Sequence, residues 1–267
     1  MELQPIVKWA GGKRWLIRTA GYLFPADYEN YIEPFLGGAA VYFHLAPSSA
    51  LLSDVNAELI NVYMSIQEDW EQVADILREH QKHHCSDYYY SVRDTAYETS
   101  FEQAARTLYL NRTCWNGLYR VNLKGKFNVP IGTKSNVLAD IDSFPHVAKL
   151  FKGAKFKTGD FEDTINTATQ DDFVFVDPPY TVKHNYNGFI KYNENLFRWE
   201  DQVRLRDAVV RATQRGAKVL VLNANHESIV SLYEGFEQIV LSRSNVLSGK
   251  SEFRGVYQEL AIRCWQP

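Results

Sequence analysis

The tetrapeptide Asp177-Pro178-Pro179-Tyr180 is the segment best suited to chemistry, and it directly follows the apolar run 173–176. Such a run is typical of a buried strand, and in open α/β sheets ligands bind beyond the carboxyl ends of strands. The Asp177 carboxylate and the Pro178 carbonyl could hold the two N–H groups of an aromatic amine, such as that of adenine, while Tyr180 stacks on its ring. Alternatively, the segment is a Pro-Pro turn that ends a strand.

A second group of residues could bind a nucleoside. The segment Glu33-Pro-Phe35-Leu-Gly37-Gly38 has the composition of a strand end that turns through glycines into a helix, which lets the backbone approach a ligand closely. Asp54 follows the next predicted strand, where a carboxylate suits hydrogen bonding to ribose hydroxyls. Two alternatives stay open: the glycines serve only packing, and Asp54 caps the helix that follows it.

The segment Lys8-Trp9-Ala-Gly-Gly-Lys13 is similar in composition to a phosphate-binding loop but lacks the residue spacing of one. A cationic, glycine-flanked helix start could instead hold the carboxylate of an amino-acid-like cofactor. Packing of an N-terminal helix by the lysine and the tryptophan is the alternative.

Strand-like and helical runs alternate at both ends of the chain, which predicts a parallel α/β sheet. Between Asn56 and about Cys114 the strands stop and the apolar spacing predicts three or four consecutive helices, followed by a polar loop with a tight hairpin around Gly125. We expect a catalytic domain in two parts, 1–56 and 146–267, separated by a helical recognition insert at 57–145. Predicted strands are 30–34, 50–54, 154–158, 173–177, 217–223, 236–242 and 256–264, the last two an antiparallel edge pair. Predicted helices outside the insert are 14–24, 39–45, 199–215 and 226–233.

Composition excludes several classes of protein. The longest apolar runs have strand length, and the N-terminus lacks an export signal, so we expect a cytoplasmic protein without a membrane span. Three isolated cysteines, Cys85, Cys114 and Cys264, predict reduced thiols rather than a disulfide framework or a zinc site. His83 and His84 are adjacent, which points their rings apart on a helix, and we expect no metal.

Charge is unevenly distributed in a chain whose net charge is −3. No Asp or Glu occurs between Gln103 and Ala139, a stretch that holds Arg106, Arg112, Arg120, Lys124, Lys126 and Lys134. Such a segment indicates either a nucleic-acid partner or a solvated face. Near the C-terminus, residues 243–245 and Arg254 could clamp phosphates or belong to a disordered polar hairpin.

Taken together, these residues resemble the Dam-type (D12 class) family of DNA adenine-N6 methyltransferases over most of the chain. The blocks that carry the resemblance are Lys8 to Lys13, Glu33 to Gly37, Asp54 to Asn56, 110–122 with 125–132, and Asp177 to Tyr180. The resemblance implies a Rossmann-like methyltransferase sheet with a helical DNA-recognition insert. It also implies S-adenosyl-L-methionine as the cofactor, double-stranded DNA as the partner, a flipped target adenine and a monomer in solution.

The resemblance also implies roles for individual residues. Positions matched to cofactor binding are Trp9, Lys13, Phe35, Gly37, Asp54, Asp160, Phe161 and Asp177, and positions 177–180 receive the target base. Positions matched to DNA binding are Arg112, Trp115, Asn116, Leu118, Arg120, Asn122, Lys124 and Lys134. Among these, Arg120 suits bidentate hydrogen bonding to guanine, and Trp115 suits a wedge beside the flipped base. The implied target is GATC or a related short site, but Thr133-Lys134 stands where Dam enzymes have the Arg and Tyr that help to read GATC.

Two other classes of function stay open. A methyltransferase of RNA or of protein glutamine would share the turn, although the glutamine enzymes usually have Asn before Pro-Pro-Tyr. A catalytically silent DNA-binding module would have lost a cofactor residue, and none of the matched positions is missing.

Overall fold

The computed structural model describes residues 3–122, 125–139, 141–182, 197–244 and 256–266. Within these residues, seven strands form one sheet in the order β3-β2-β1-β4-β5-β7-β6. Their bounds are β1 (Tyr31–Glu33), β2 (Ala50–Asp54), β3 (Ala154–Thr158), β4 (Phe173–Val176), β5 (Lys218–Ala224), β6 (Glu237–Ser244) and β7 (Val256–Arg263). The mixed α/β fold expected from the sequence is confirmed.

Parallel pairing in the middle of the sheet fixes where the candidate residues emerge. Strand β1 pairs in parallel with β2 on one side, where Tyr31 is opposite Ala50, and with β4 on the other, where Tyr31 is opposite Phe173. Strand β5 continues the parallel arrangement beyond β4. Strands β6 and β7 form the predicted antiparallel pair, and β7 also pairs antiparallel with β5. The carboxyl ends of β1, β2, β4 and β5 therefore share one edge of the sheet.

The four helices predicted outside the insert are present, although the first ends at Ala20 rather than at residue 24, and two further helices, at 144–151 and 161–165, were not predicted. The helices are α1 (Arg14–Ala20), α2 (Ala40–Leu45), α3 (Ala57–His83), α4 (Ser86–Asp94), α5 (Ser100–Thr113), α6 (Phe144–Phe151), α7 (Phe161–Ile165), α8 (Trp199–Gln214) and α9 (Glu227–Leu232). Three consecutive helices, α3 to α5, occupy the predicted insert. The longest, α3, begins at the capping residue Asn56, whose side chain accepts the Leu59 N–H, and changes direction at Asp69.

The chain divides into two compact units. Unit 1 comprises Met1–Arg14, Leu36–Ser48 and Asp54–Thr158; unit 2 comprises Trp15–Phe35, Ser49–Ser53 and Gly159–Pro267. Aromatic side chains pack the interior of unit 1, among them Tyr42, Phe151 and Phe156. The core of unit 2 contains the aliphatic residues of β4 and β5 together with Phe173 and Phe175, which pack against other aromatic rings. The expected division at residues 56 and 145 stays a prediction, because compact packing does not reveal which residues recognise a target.

The polar loop after α5 contains the predicted hairpin. Val121 and Phe127 form an antiparallel bridge, and the Gly125 N–H donates to the Asn122 carbonyl. Leu123 and Lys124, at the tip, lie outside the described residues. A second bridge joins Cys114 to Ile131, so the segment leaving α5 is held against the segment that follows the hairpin.

The described residues bear on the expectations about membrane spans, metal sites and cysteines. No helix among them is long and apolar enough to cross a membrane. In the same part of the chain, no group of three or more His, Cys, Asp or Glu could hold a metal ion. Cys85 is exposed, Cys114 and Cys264 are buried, and all are free thiols. Residues 245–255, which include Asn245 and Arg254 of the expected phosphate clamp, lie outside the described residues.

Unit 1 has a buried histidine that makes its stability depend on pH. His80 is 3% exposed, stacks on Tyr109 with ring centroids 4.9 Å apart, and forms a hydrogen bond from Nδ1 to the Tyr88 hydroxyl. Burial, with a smaller contribution from the charge on His83, lowers the pKa of His80 from 6.5 to about 4. The neutral imidazole therefore favours the folded state, and this contribution is complete above pH 6.5 and lost as the pH falls to 4.

We predict that wild-type protein loses roughly 2 kcal/mol of stability relative to His80→Phe between pH 7 and pH 4, because the variant has no imidazole to protonate. Urea unfolding at several pH values measures the difference. His146→Phe, which removes an exposed histidine of the same unit, is the control and should show no such trend. Parallel pH profiles for wild type and His80→Phe would contradict the assignment.

Candidate functional site

The segment Asp177–Tyr180 begins where β4 ends. All four residues of β4 are buried, Asp177 is half-buried, and Pro178 is buried directly behind it. Because β1 and β4 pair in parallel, this segment leaves the sheet at the same edge as the residues that follow Glu33. The backbone beyond the tetrapeptide stays inside unit 2, since Thr181 is 2% exposed and donates from its hydroxyl to the Phe197 carbonyl.

A buried glutamine on α8 holds the backbone of this segment. Gln202 is fully buried, and its Nε2 lies 3.5 Å from the Pro179 carbonyl oxygen and 3.3 Å from that of Thr181. Its Oε1 accepts a 2.9 Å hydrogen bond from the side-chain amide of Asn223, which is also fully buried at the end of β5. Each polar group of the Gln202 side chain thus has a partner, which offsets the cost of burying it.

The tyrosine of the tetrapeptide is held at its far end. The Tyr180 hydroxyl donates to Oε2 of Glu259 at 2.6 Å, and Glu259, on β7, is 3% exposed. A distance of this size is typical of a hydroxyl bonded to an ionised carboxylate. The ring of Tyr180 is therefore fixed at both its Cβ and its oxygen.

Phe35 and Phe161, both expected to bind the cofactor, contact each other within unit 2. Their rings stack with centroids 5.3 Å apart, and Phe197 lies within 5.7 Å of both. Asp160 caps α7 by accepting the Glu162 N–H, and the same oxygen accepts from Arg204 at 3.0 Å. Phe161 is 6% exposed, so packing is the role that its contacts show, and its role toward a cofactor stays a prediction.

In unit 1, Asp54 fixes the glycine turn. One carboxylate oxygen accepts the Gly37 N–H at 3.0 Å and the other accepts the Asn56 N–H at 2.9 Å. The helix cap is Asn56 rather than Asp54, so the capping alternative is wrong for Asp54. Burial raises the pKa of Asp54, and the backbone hydrogen bonds oppose that shift.

Trp9 packs against the same turn. Gly37 has φ +46°, and a Cβ placed on it would lie 2.9 Å from Cδ1 of Trp9, so a side chain at this position would collide with the indole. The other neighbour of Trp9 is Tyr119, whose ring stacks on it with centroids 4.9 Å apart and whose hydroxyl donates to Glu58. Lys13, at the end of the same N-terminal segment, is 6% exposed.

The N-terminal segment is also tied to α5 through the backbone. Lys8 donates from its N–H to Oδ1 of Asn111 at 2.8 Å and accepts from Nδ2 of the same residue at 2.9 Å. These two bonds and the Trp9–Tyr119 stack join a segment expected to bind the cofactor to the loop expected to bind DNA, all within unit 1.

Several residues expected to bind DNA are exposed on the loop that follows α5. Trp115 is 55% exposed and Leu118 is 43% exposed, which is unusual for large apolar side chains and suits a contact with a partner. A short 3-10 turn, Trp115–Gly117, presents them, and the Trp115 N–H donates to the Pro130 carbonyl. Asn116 is exposed in the left-handed region, with φ +57°.

The remaining candidates differ in their surroundings. Arg120 is exposed and uses Nε to bond Asn128, whereas Asn122 is exposed and accepts the Lys126 N–H within the hairpin. Lys134 is exposed, and Lys124 lies outside the described residues. Arg112 is 5% exposed, donates to the Val137 carbonyl and lies over the Phe144 ring, so it packs the interior of unit 1.

The structure thus groups the expected residues within each unit and adds others that the sequence did not reveal. Trp9, Gly37 and Asp54 form one connected set in unit 1, and Phe35, Asp160 and Phe161 lie together in unit 2. The additions are Tyr119, Gln202, Asn223 and Glu259. Asn223 and Glu259 had a signal in the sequence, as polar residues inside largely apolar strands.

Because Gln202 satisfies buried carbonyls, we predict that Gln202→Leu lowers the free energy of unfolding by about 1–3 kcal/mol per group left without a partner. Gln214→Leu, at an exposed position of the same helix, is the matched control and should change stability by less than about 0.5 kcal/mol. Urea unfolding measures both variants. Equal stabilities of the two variants would show that the hydrogen bonds of Gln202 do not contribute to stability.

Comparisons with known proteins show what the chain is similar to. Residues 9–246 match the family model described as D12 class N6 adenine-specific DNA methyltransferase. The chain is 35% identical over 271 residues to the type II methyltransferase M1.LlaDCHI of Lactococcus lactis subsp. cremoris, covering 98% of this chain and 95% of that protein. It is 33% identical over 287 residues to the type II methyltransferase M.MjaIII of Methanocaldococcus jannaschii, covering 98% and 99%. It is 30% identical over 269 residues to the DNA adenine methylase of Haemophilus influenzae, covering 97% and 93%.

Proposed function

Because the chain belongs to the D12 class of N6 adenine-specific DNA methyltransferases, we propose that it transfers a methyl group from S-adenosyl-L-methionine to the N6 amine of an adenine flipped out of double-stranded DNA. One observation links this proposed function to particular residues. The acceptor segment Asp177–Tyr180 leaves a buried strand at the carboxyl edge of the sheet, with its backbone and its tyrosine held by buried polar side chains.

The residues of unit 1 fit the cofactor. The bare turn at Gly37 leaves room for close approach of a nucleoside, since a side chain there would collide with Trp9. The Asp54 carboxylate keeps this turn in shape through the Gly37 N–H and retains further lone pairs for ribose hydroxyls. In this proposal the cofactor-binding residues are Trp9, Lys13, Phe35, Gly37, Asp54, Asp160, Phe161 and Asp177.

The chemistry assigned to this chain is the activation of a weak nucleophile. When bound, S-adenosyl-L-methionine supplies a methyl group already activated by its sulfonium. The adenine amine is a poor nucleophile because its lone pair is delocalised into the ring. The Asp177 carboxylate and the Pro178 carbonyl accept its two N–H groups and favour a pyramidal nitrogen, Tyr180 stacks on the base, and Asp177 receives the proton that N6 loses when the N–C bond forms.

The exposed loop after α5 supplies DNA recognition in this proposal. Trp115 fills the space beside the flipped base, which suits a flat apolar ring that is already half in solvent. Arg120 reads guanine with its two Nη groups, since its Nε is bonded to Asn128. Asn116, Leu118, Asn122, Lys124 and Lys134 complete the DNA-binding set. Arg112 would act from the interior, by holding the loop through Val137.

The proposed target is a short adenine-containing site, and the protein is proposed to act as a monomer. Thr133 and Lys134 are both exposed on the recognition loop. Neither offers the planar bidentate donor pair of an arginine, so a site other than GATC but related to it is favoured. Digestion of DNA from expressing cells with methylation-sensitive nucleases identifies the site.

We predict that Asp177→Ala lowers kcat by at least about a hundredfold, because a positioned acceptor of the N6 protons is lost. The assay follows label from radioactive S-adenosyl-L-methionine into duplex DNA, RNA of the same sequence, or total protein. Asp207→Ala, which removes an exposed aspartate of unit 2, is the control and should retain activity. Label in RNA or protein alone would refute the DNA assignment, and no transfer to any substrate would favour the binding module.

Arg120→Ala and Lys134→Ala should weaken DNA binding in different ways. Loss of a base contact at Arg120 should cost about 1–3 kcal/mol at one position of the target and relax the choice of sequence there. Loss of a phosphate contact at Lys134 should weaken binding to all sequences alike and reduce the salt slope by about one. Fluorescence anisotropy with matched and mismatched duplexes at several salt concentrations separates the two. Identical effects on every sequence would contradict the role of Arg120.

A further inference from the structure

The contact between Tyr180 and Glu259 joins the candidate catalytic segment to a strand 79 residues away along the chain. Glu259 lies on β7 between two neighbours, opposite Ala224 of β5 and Leu241 of β6. Ala224 is the last residue of β5, so the antiparallel strand brings Glu259 to the edge at which the parallel strands end.

Burial of this carboxylate needs an explanation. The residues that follow it, Leu260, Ala261 and Ile262, are all buried and apolar, and Glu259 itself is 3% exposed. Removing a carboxylate from water costs free energy unless hydrogen bonds replace those of the solvent, and an apolar residue would fill the same place at no such cost. The 2.6 Å bond from Tyr180 provides part of that replacement and directs it at the tetrapeptide.

The bond to Glu259 removes the rotational freedom of the Tyr180 side chain before any base binds. A tyrosine held only at Cβ can turn its ring, and ordering it on binding opposes the association. A tyrosine held also at its oxygen presents one fixed face. Its hydroxyl proton is also committed to Glu259, so the phenol is not available to donate to another acceptor.

We infer that Glu259 is a positioning residue for Tyr180, fixing the ring as a preorganised stacking face for the flipped base. The inference rests on the proposed function of the 177–180 segment and deepens it. Glu259 does not touch the substrate in this scheme; it acts through the tyrosine hydroxyl.

The test combines Tyr180→Phe, Glu259→Leu, Glu259→Gln and the double variant Tyr180→Phe/Glu259→Leu in the full-length chain. Tyr180→Phe keeps the ring and removes the tether, and we expect kcat to fall about tenfold, the effect of losing a hydrogen bond to a charged group. The KM for DNA should change by less than about threefold, because phosphate contacts dominate affinity. Glu259→Leu should lower kcat to a similar extent. The double variant should have the same kcat as either single variant, because both substitutions remove the same contact.

A spectroscopic readout distinguishes positioning from general stability. Duplex DNA with 2-aminopurine at the target position, bound in the presence of S-adenosylhomocysteine, reports stacking of the flipped base through quenching of its fluorescence. We expect brighter complexes with Tyr180→Phe and Glu259→Leu than with wild type. Glu259→Gln retains an acceptor oxygen and should restore most of the kcat and most of the quenching.

The controls keep the outcomes separate. Tyr42→Phe removes another tyrosine hydroxyl, one bonded to the Leu150 carbonyl in unit 1, and should leave kcat and fluorescence unchanged. Multiplying effects in the double variant, failure of Glu259→Gln to restore activity, or equal damage from Tyr42→Phe would each overturn the inference. If wild-type chain methylates no DNA, the proposed function itself fails; wild-type methylation with any of the three results above overturns only the role of Glu259.

Discussion

The parallel pairing of β1 with β4 is the constraint on which the rest of the site depends. With Tyr31 opposite Phe173, residues 34–35, which follow Glu33, and the segment that begins at Asp177 must leave the sheet at one edge. Had either strand run the other way, the acceptor segment and residues 34–35 would emerge at opposite edges. The buried side chains of β4 and β5 lock this register, because a shift by one residue would turn their apolar side chains to the opposite faces of the sheet.

A second constraint acts on the acceptor segment once it has left the sheet. Its prolines have no N–H to bond to neighbouring backbone, and a buried side chain instead bonds one of its carbonyls, that of Pro179. Gln202 does so from α8, and Asn223 orients Gln202 from the end of the neighbouring strand. The same edge of unit 2 therefore supplies a stiff segment and the polar groups that keep it in place. Stiffness matters because an acceptor helps the reaction only if it is aimed before the base arrives.

The sequence predicted what is local and could not predict what is long-range. The strand before Asp177, the glycine turn and the three insert helices all follow from short apolar patterns and neighbouring residues. The bonds of Gln202 and Glu259 join residues 21 and 79 positions apart, and nothing in the local pattern of Gln202 distinguishes it from a surface glutamine. Arg112 shows the reverse problem. Its basic neighbourhood indicates a DNA contact, whereas the helix face that it occupies buries it against Val137 and Phe144.

The division of proposed roles along the chain explains why one departure from the Dam pattern is compatible with the proposed chemistry. The residues proposed to read DNA lie on a loop of unit 1 whose shape is set by its own contacts, the Cys114–Ile131 bridge and the Arg120–Asn128 bond. The acceptor segment belongs to unit 2 and is held by α8, β5 and β7. Neither Thr133 nor Lys134 takes part in the hydrogen bonds described for the acceptor segment. In the proposed function, a change at these positions therefore alters which sequence is read without disturbing the groups proposed to activate the amine.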